Sequence, residues 1–198
     1  MAGAAESNAC LSPSIVVLGL GNPILCDDAV GLRVTAVLRE LLAAQPVAGV
    51  EILQSTRAGF ELIDLLSGFR TAIIVDSLVV PEPVPGRVRE LRLADVGGSA
   101  RLNAVHEINL ATAYQLAKTL AIPMPATVEI YAVEAAEVHL VTETMTAAVA
   151  AAVAPLARRI LGRLWWLAGE DATAGATPTA EAGRSRTYSR SFYPPDES

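Results

Sequence analysis

The chain has 198 residues, enough for one domain of ordinary size, and 52% of them are hydrophobic against 18% charged. A domain of about 150 residues buries roughly 70% of the surface its unfolded chain exposes, so a sizeable core is available. The net charge of −6 and a pI near 5.0 weigh against nucleic acid or an anionic membrane as the main partner.

Residues 1–13 are small and polar and read as a flexible leader; the first fifteen residues hold a glutamate and no basic residue, so the charged start of a signal peptide is lacking. Cys10 and Cys26 are the only cysteines, too few for a disulfide framework or a thiolate metal cage. From Ile15 to Leu20 runs a continuous apolar stretch, the mark of a strand buried on both faces. "AVGLRVTAVLRELLAAQ" then places Val30, Val34, Val37, Leu38, Leu41 and Leu42 at helical spacing. "GVEILQS" is a second short strand, "GFELIDLLSG" a short helix that Gly68 can cap, and "TAIIVDS" a buried strand whose last aliphatic position is followed by Asp76.

After the proline-rich turn "VPEPVPG" comes "RVRELRL", polar enough to be an edge strand. The loop "ADVGGSARLNAVHEI" leads to the helix "NLATAYQLAKTLA", then to a last strand, "TVEIYAV". Thr142 to about Leu167 forms a long alanine-rich helix, which Pro155 can kink. Its most apolar part, Thr144 to Ala157, runs 14 residues before Arg158 and Arg159, too short to span a membrane. From Gly169 onward aliphatic periodicity is lost, and residues 169–198 read as a disordered tail. Strands alternating with helices imply an α/β fold with a mostly parallel sheet between helices. The expectation is a cytoplasmic, monomeric protein.

"VVLGLGNPILCDDAVG" raises the question of ligand chemistry. Gly19-Leu20-Gly21 starts a dinucleotide fingerprint, but the third glycine position is Ile24. Asp27 and Asp28 would also stand near the phosphates and repel them, so nucleotide binding is disfavoured. Ligands of open α/β sheets sit outside the carboxyl ends of the strands. Asp28 follows the first strand by a short loop, Asp76 ends an aliphatic strand, and His106 stands at the start of a helix; all three should meet on one edge. Two carboxylates and an imidazole suit a divalent transition metal and leave a position open for water or substrate. Each residue also has a plainer role. Asp76 could cap a turn, Asp27 fits best as a dipole partner at a helix start, and His106 could simply begin its helix. His139 lies in the polar stretch "EVHLVTE" with no partner pattern, and Cys26 fits a small buried filler. Trp165 and Trp166 suit either packing on the body or a docking patch.

Taken in order, "LGLGNPILCDDAVGLRV", "AIIVDS", "HEINLATAYQLAKTL" and "VEIYAVEAAEV" resemble the hydrogenase maturation proteases. The resemblance runs from about Ile15 to Leu167 and implies a single α/β peptidase domain over residues 14–168. The implied fold is a three-layer sandwich of the phosphorylase/hydrolase-like kind, a twisted and mostly parallel sheet of about five strands with helices on both faces. The resemblance implies an endopeptidase that removes the C-terminal extension of a nickel–iron hydrogenase large-subunit precursor after nickel insertion. Family metal-site positions fall on Asp28, Asp76 and His106, as catalytic and metal-binding residues, with nickel supplied by the substrate rather than held as a permanent cofactor. No nucleic acid or membrane insertion is implied. Two departures stand out: "STRAGFEL", with Arg57, replaces a glycine-rich segment, and Asp28 is an aspartate where many relatives carry glutamate. The "GLGNP" opening is similar to peptidyl-tRNA hydrolases as well, but their Thr-Arg-His-Asn run is missing and no histidine precedes His106. A non-catalytic nickel-binding chaperone is the third alternative.

Overall fold

The computed structural model describes residues 14–56, 60–93 and 107–174. The strands are β1 (Ile15–Leu20), β2 (Val50–Ser55), β3 (Thr71–Leu78), β4 (Val88–Arg92) and β5 (Thr127–Glu134). Among the described residues the helices are α1 (Val30–Ala44), α2 (Glu61–Leu66), α3 (Glu107–Thr119) and α4 (Ala147–Ala174), and a 3-10 turn, Cys26–Ala29, precedes α1. The five strands form one sheet in the order β2-β1-β3-β5-β4. All neighbours are parallel except β4, which lies antiparallel on β5 at the edge.

Period-two alternation assigns the two faces. Ile15, Val17, Ile73, Val75, Tyr131 and Val133 pack with α1 and α4. Val16, Leu18, Ala72, Ile74, Val128 and Ile130 face α2 and α3. A strand covered on both sides has no polar face to show, which is why β1 and β3 read as unbroken apolar runs. The expected three layers and five strands are therefore present.

Three boundaries differ from expectation, each for a local reason. β3 continues through Asp76 to Leu78, because Asp76, Ser77 and Leu78 still pair with Ala132, Val133 and Glu134 of β5. α4 starts at Ala147 rather than Thr142, because residues near Thr142 are taken up by bridges to Leu25. It also passes through Pro155 and continues to Ala174, so residues 169–174, expected in a disordered tail, are helical. Once a helix is nucleated, adding alanine and glutamate costs little. Gly68 does follow α2 in a left-handed conformation, φ +88, as expected of a residue that ends a helix. The 1–13 leader and the rest of the tail lie outside the described residues. None of the described helices is long and apolar enough to cross a membrane.

Candidate functional site

The carboxyl edge of the sheet is where β1 breaks into "GNP" and β3 outruns it. β1 pairs with β3 as far as Val75, and Asp76 is the next residue along. Gly21, at φ +141, turns the chain sharply back, and a Cβ there would lie 1.9 Å from the Asp28 carbonyl oxygen. Only glycine fits both constraints. The Asn22 side chain accepts the Ile24 N–H at 3.2 Å and closes a local turn. The chain then winds through the 3-10 turn, which buries Asp27 and Asp28 together.

These adjacent carboxylates do different things. Asp27 is wholly enclosed. Its Oδ1 accepts the Thr146 N–H at 2.7 Å, and its Oδ2 accepts the N–H groups of Ala136 and Glu137 and the Thr146 hydroxyl at 3.0, 3.1 and 2.9 Å. It is a clamp between the first turn and the loops leading to α4. Its helix-start role, expected at α1, is exercised at α4, whose first residue follows Thr146.

Asp28 has a sparser set. Its Oδ2 accepts the Asn22 N–H at 2.9 Å and its Oδ1 the Ser77 hydroxyl at 2.8 Å. An ionised carboxylate offers roughly four lone-pair sites, so Asp28 keeps acceptor capacity that Asp27 has spent. Both its donors are neutral, yet the group is only 3% exposed. A buried anion so held gains from a cation nearby. Asp76 is buried as well, and its Oδ1 accepts the Ser77 N–H at 2.8 Å. Ser77 thus ties the two acids together, its backbone to one and its hydroxyl to the other. The structure brings Asp28 and Asp76 to one place; His106 and Arg57 lie outside the described residues. Among the described residues no three His, Cys, Asp or Glu side chains cluster as a metal centre requires.

Sequence reasoning missed Ser77. Its signal was available, a hydroxyl beside Asp76 at the end of an aliphatic run, but the pairing with Asp28 spans 49 positions. Cys26 is the expected buried filler: its Sγ donates to the Thr144 carbonyl at 3.4 Å, and burial pushes the thiol up from its ordinary value. A raised thiol is a poor nucleophile source. His139 is exposed, and its backbone N–H donates to Glu137. That bond comes first among those holding Glu137 below the usual carboxylate range. Trp165 and Trp166 are both half exposed, and the Arg163 guanidinium sits 4.1 Å from the Trp166 ring centre. Glu134, at the end of β5, is fully buried; burial raises it, but the Val84 N–H and Arg89 outweigh that and hold it below its ordinary value. It fastens the β3–β4 turn and is no part of the acid pair.

A family model described as hydrogenase maturation protease matches residues 34–163, a stretch that includes Asp76 and His106 and begins after Asp28. The hydrogenase 2 maturation protease of Escherichia coli (strain K12) is 35% identical over 82 residues, 41% of this chain and 49% of that protein. The aligned stretch therefore spans about half the length of this curated relative. Among solved structures, the hydrogenase maturating endopeptidase HybD from E. coli is 26% identical with a TM-score of 0.63, covering 77% of this chain and 93% of that one. The [NiFe] hydrogenase maturation protease HybD from Thermococcus kodakarensis shares the fold at 21% identity, TM-score 0.61, covering 76% and 97%.

Proposed function

Since the chain belongs to the hydrogenase maturation protease family, we propose that it is an endopeptidase. It removes the C-terminal extension from a nickel–iron hydrogenase large-subunit precursor once nickel is in place. The observation that carries this reading is the pair of buried carboxylates at the carboxyl edge, Asp28 and Asp76, joined through Ser77. Like charges held together out of water repel, and a divalent cation removes the conflict. The family match weighs against the peptidyl-tRNA hydrolase reading, whose resemblance rested on the shared "GLGNP" opening.

His106 completes the proposed set. What supports it is the topology: α3 hands the chain to the amino end of β5, so a crossover helix of this kind starts toward the opposite, carboxyl edge. On this reading the substrate's own nickel is the ion recognised, and the three side chains fill its open coordination positions or orient water from them. Metal-assisted amide hydrolysis would need the scissile carbonyl polarised and a nucleophile generated, and the substrate's nickel, held by these residues, would supply that chemistry. Water oxygen adds to the carbonyl carbon, the C–N bond breaks, and the departing amine takes up a proton.

The test is selectivity. Purified protein incubated with nickel-loaded precursor should release the extension, and nickel-free precursor should stay intact. Equal cleavage of both removes the metal check but keeps the protease. Binding of the loaded precursor without cleavage points to the chaperone alternative.

A further inference from the structure

An open cleft of about 720 Å³ lies between α1 and the carboxyl ends of β1 and β2, with Pro23, Leu32, Arg33, Gln54, Thr56 and Glu143 among its walls. Ala29, the residue after Asp28, also borders it, so the cleft adjoins the 3-10 turn that carries Asp28. Its size falls within the range of about 300–1,000 Å³ that takes a compact ligand or a short stretch of peptide, not a folded domain.

One rim of this cleft is built from two loops that are bonded backbone to backbone. The Thr142 N–H donates to the Ile24 carbonyl at 2.9 Å, and the Cys26 N–H to the Thr142 carbonyl at 2.8 Å. Leu25 bridges to Val141 and Thr142. Beneath the rim Asp27 clamps the backbone at 136, 137 and 146. On these two loops three large apolar side chains face solvent: Ile24 at 48%, Leu140 at 57% and Val141 at 72% exposed. Single exposed apolar residues need no explanation, but three on two loops bonded to each other, flanking the cleft residues Pro23 and Glu143, point to a contact surface. These three are held by the loop that carries Asp28, so whatever rests on them is placed relative to the acids.

We infer that this ledge and cleft form the substrate-docking surface. An extended stretch of the precursor next to the bond to be cut lies in the cleft, and an apolar side chain of that stretch rests on Ile24, Leu140 and Val141. The inference rests on the endopeptidase reading: an enzyme that cuts within a chain must hold backbone beside the reacting bond, and this cleft borders the turn that carries Asp28.

The experiment is steady-state cleavage of nickel-loaded precursor by the full chain and by Val141→Asp and Ile24→Asp. Leu120→Asp is the control, an equally exposed residue that follows α3 at the opposite edge. Both ledge variants should raise KM about 10-fold or more with kcat within twofold, and the control should match wild type. A synthetic peptide spanning the cleavage junction should inhibit wild type and lose potency on Val141→Asp. Unchanged KM in both ledge variants, with wild type active, overturns the docking assignment and leaves the protease standing. Wild type that cuts no loaded precursor overturns the protease reading and this inference with it. A wild-type dimer abolished by Val141→Asp, with KM unchanged, would instead assign the ledge to a second copy of the chain.

Discussion

Two aspartates adjacent in the chain should respond in opposite ways to the same substitution. In Asp27→Asn both carboxylate oxygens of the original residue face donors, Thr146 N–H on one side and Ala136 N–H, Glu137 N–H and the Thr146 hydroxyl on the other. The asparagine NH2 must therefore oppose at least one backbone N–H, and the smaller loss is at Thr146. A bond to a charged acceptor disappears and a buried donor goes unmet, which costs about 2–4 kcal/mol. At about 2–4 °C per kcal/mol for a chain of this size, a 3 kcal/mol loss lowers Tm by about 6–12 °C. Asp28→Asn is different. Its oxygen can keep the Asn22 N–H, and its NH2 can donate to the Ser77 hydroxyl, which accepts as readily as it donates. Stability should stay within about 1 kcal/mol of wild type. Cleavage should fall by ~100-fold or more, since a neutral amide forfeits several kcal/mol of cation contact in the transition state. Thermal unfolding and precursor cleavage, both measured on each variant well below its Tm, check the pair. Asp28→Asn melting as low as Asp27→Asn, or Asp27→Asn losing all cleavage while folded, would refute the division of labour.

Asp76→Asn removes one of two like charges joined through Ser77 and keeps an oxygen for the Ser77 N–H; melting temperature should hold level or rise slightly while cleavage collapses. Gly31→Ala would set a Cβ 2.2 Å from the Leu20 carbonyl and 2.3 Å from that of Val75, so α1 must move away; both melting temperature and kcat should fall, read by calorimetry and the cleavage assay. Glu134→Gln tests the buried ion pair by pH. Because the folded carboxyl lies below its ordinary 4.5, the wild-type stability advantage should be full above about pH 4.5 and shrink as pH falls through the folded value, measured by urea unfolding across pH.

The sheet was legible because a strand covered on both faces leaves a continuous apolar signature, and β1 and β3 carry it. β4 was readable as an edge from its arginines and glutamate, but its direction was not; an antiparallel partner leaves no trace in a five-residue pattern. The misplaced start of α4 has a similar origin. Thr142 has helical neighbours in sequence, yet it bonds to Ile24 and Cys26, more than a hundred positions away. At the candidate site, Asp28 and Asp76 drew notice because one follows an apolar strand by a short loop and the other follows the last of a run of aliphatic residues, although β3 itself runs on to Leu78. The separate fate of Asp27 was not, since every one of its backbone donors comes from 109 to 119 residues away.

The glycines of the opening motif explain why it resembles a phosphate loop while its chemistry is opposite. In a dinucleotide fold the third glycine lets a helix pack closely on its strand. That packing role falls here to Gly31, seven residues later than the fingerprint places it, with no room for a Cβ against the Leu20 and Val75 carbonyls. Those two carbonyls belong to β1 and β3, so one glycine seats the first turn of α1 across both strands at once. Asp28 lies three residues before Gly31, and Asp76 directly follows Val75. Close packing at Gly31 therefore carries Asp28 to the end of β3, where Ser77 joins it to Asp76. The same close approach that delivers a helix's N–H groups to a phosphate in one fold delivers a carboxylate to a second carboxylate in this one. On the proposed reading, that pair of acids is what meets the cation of the substrate.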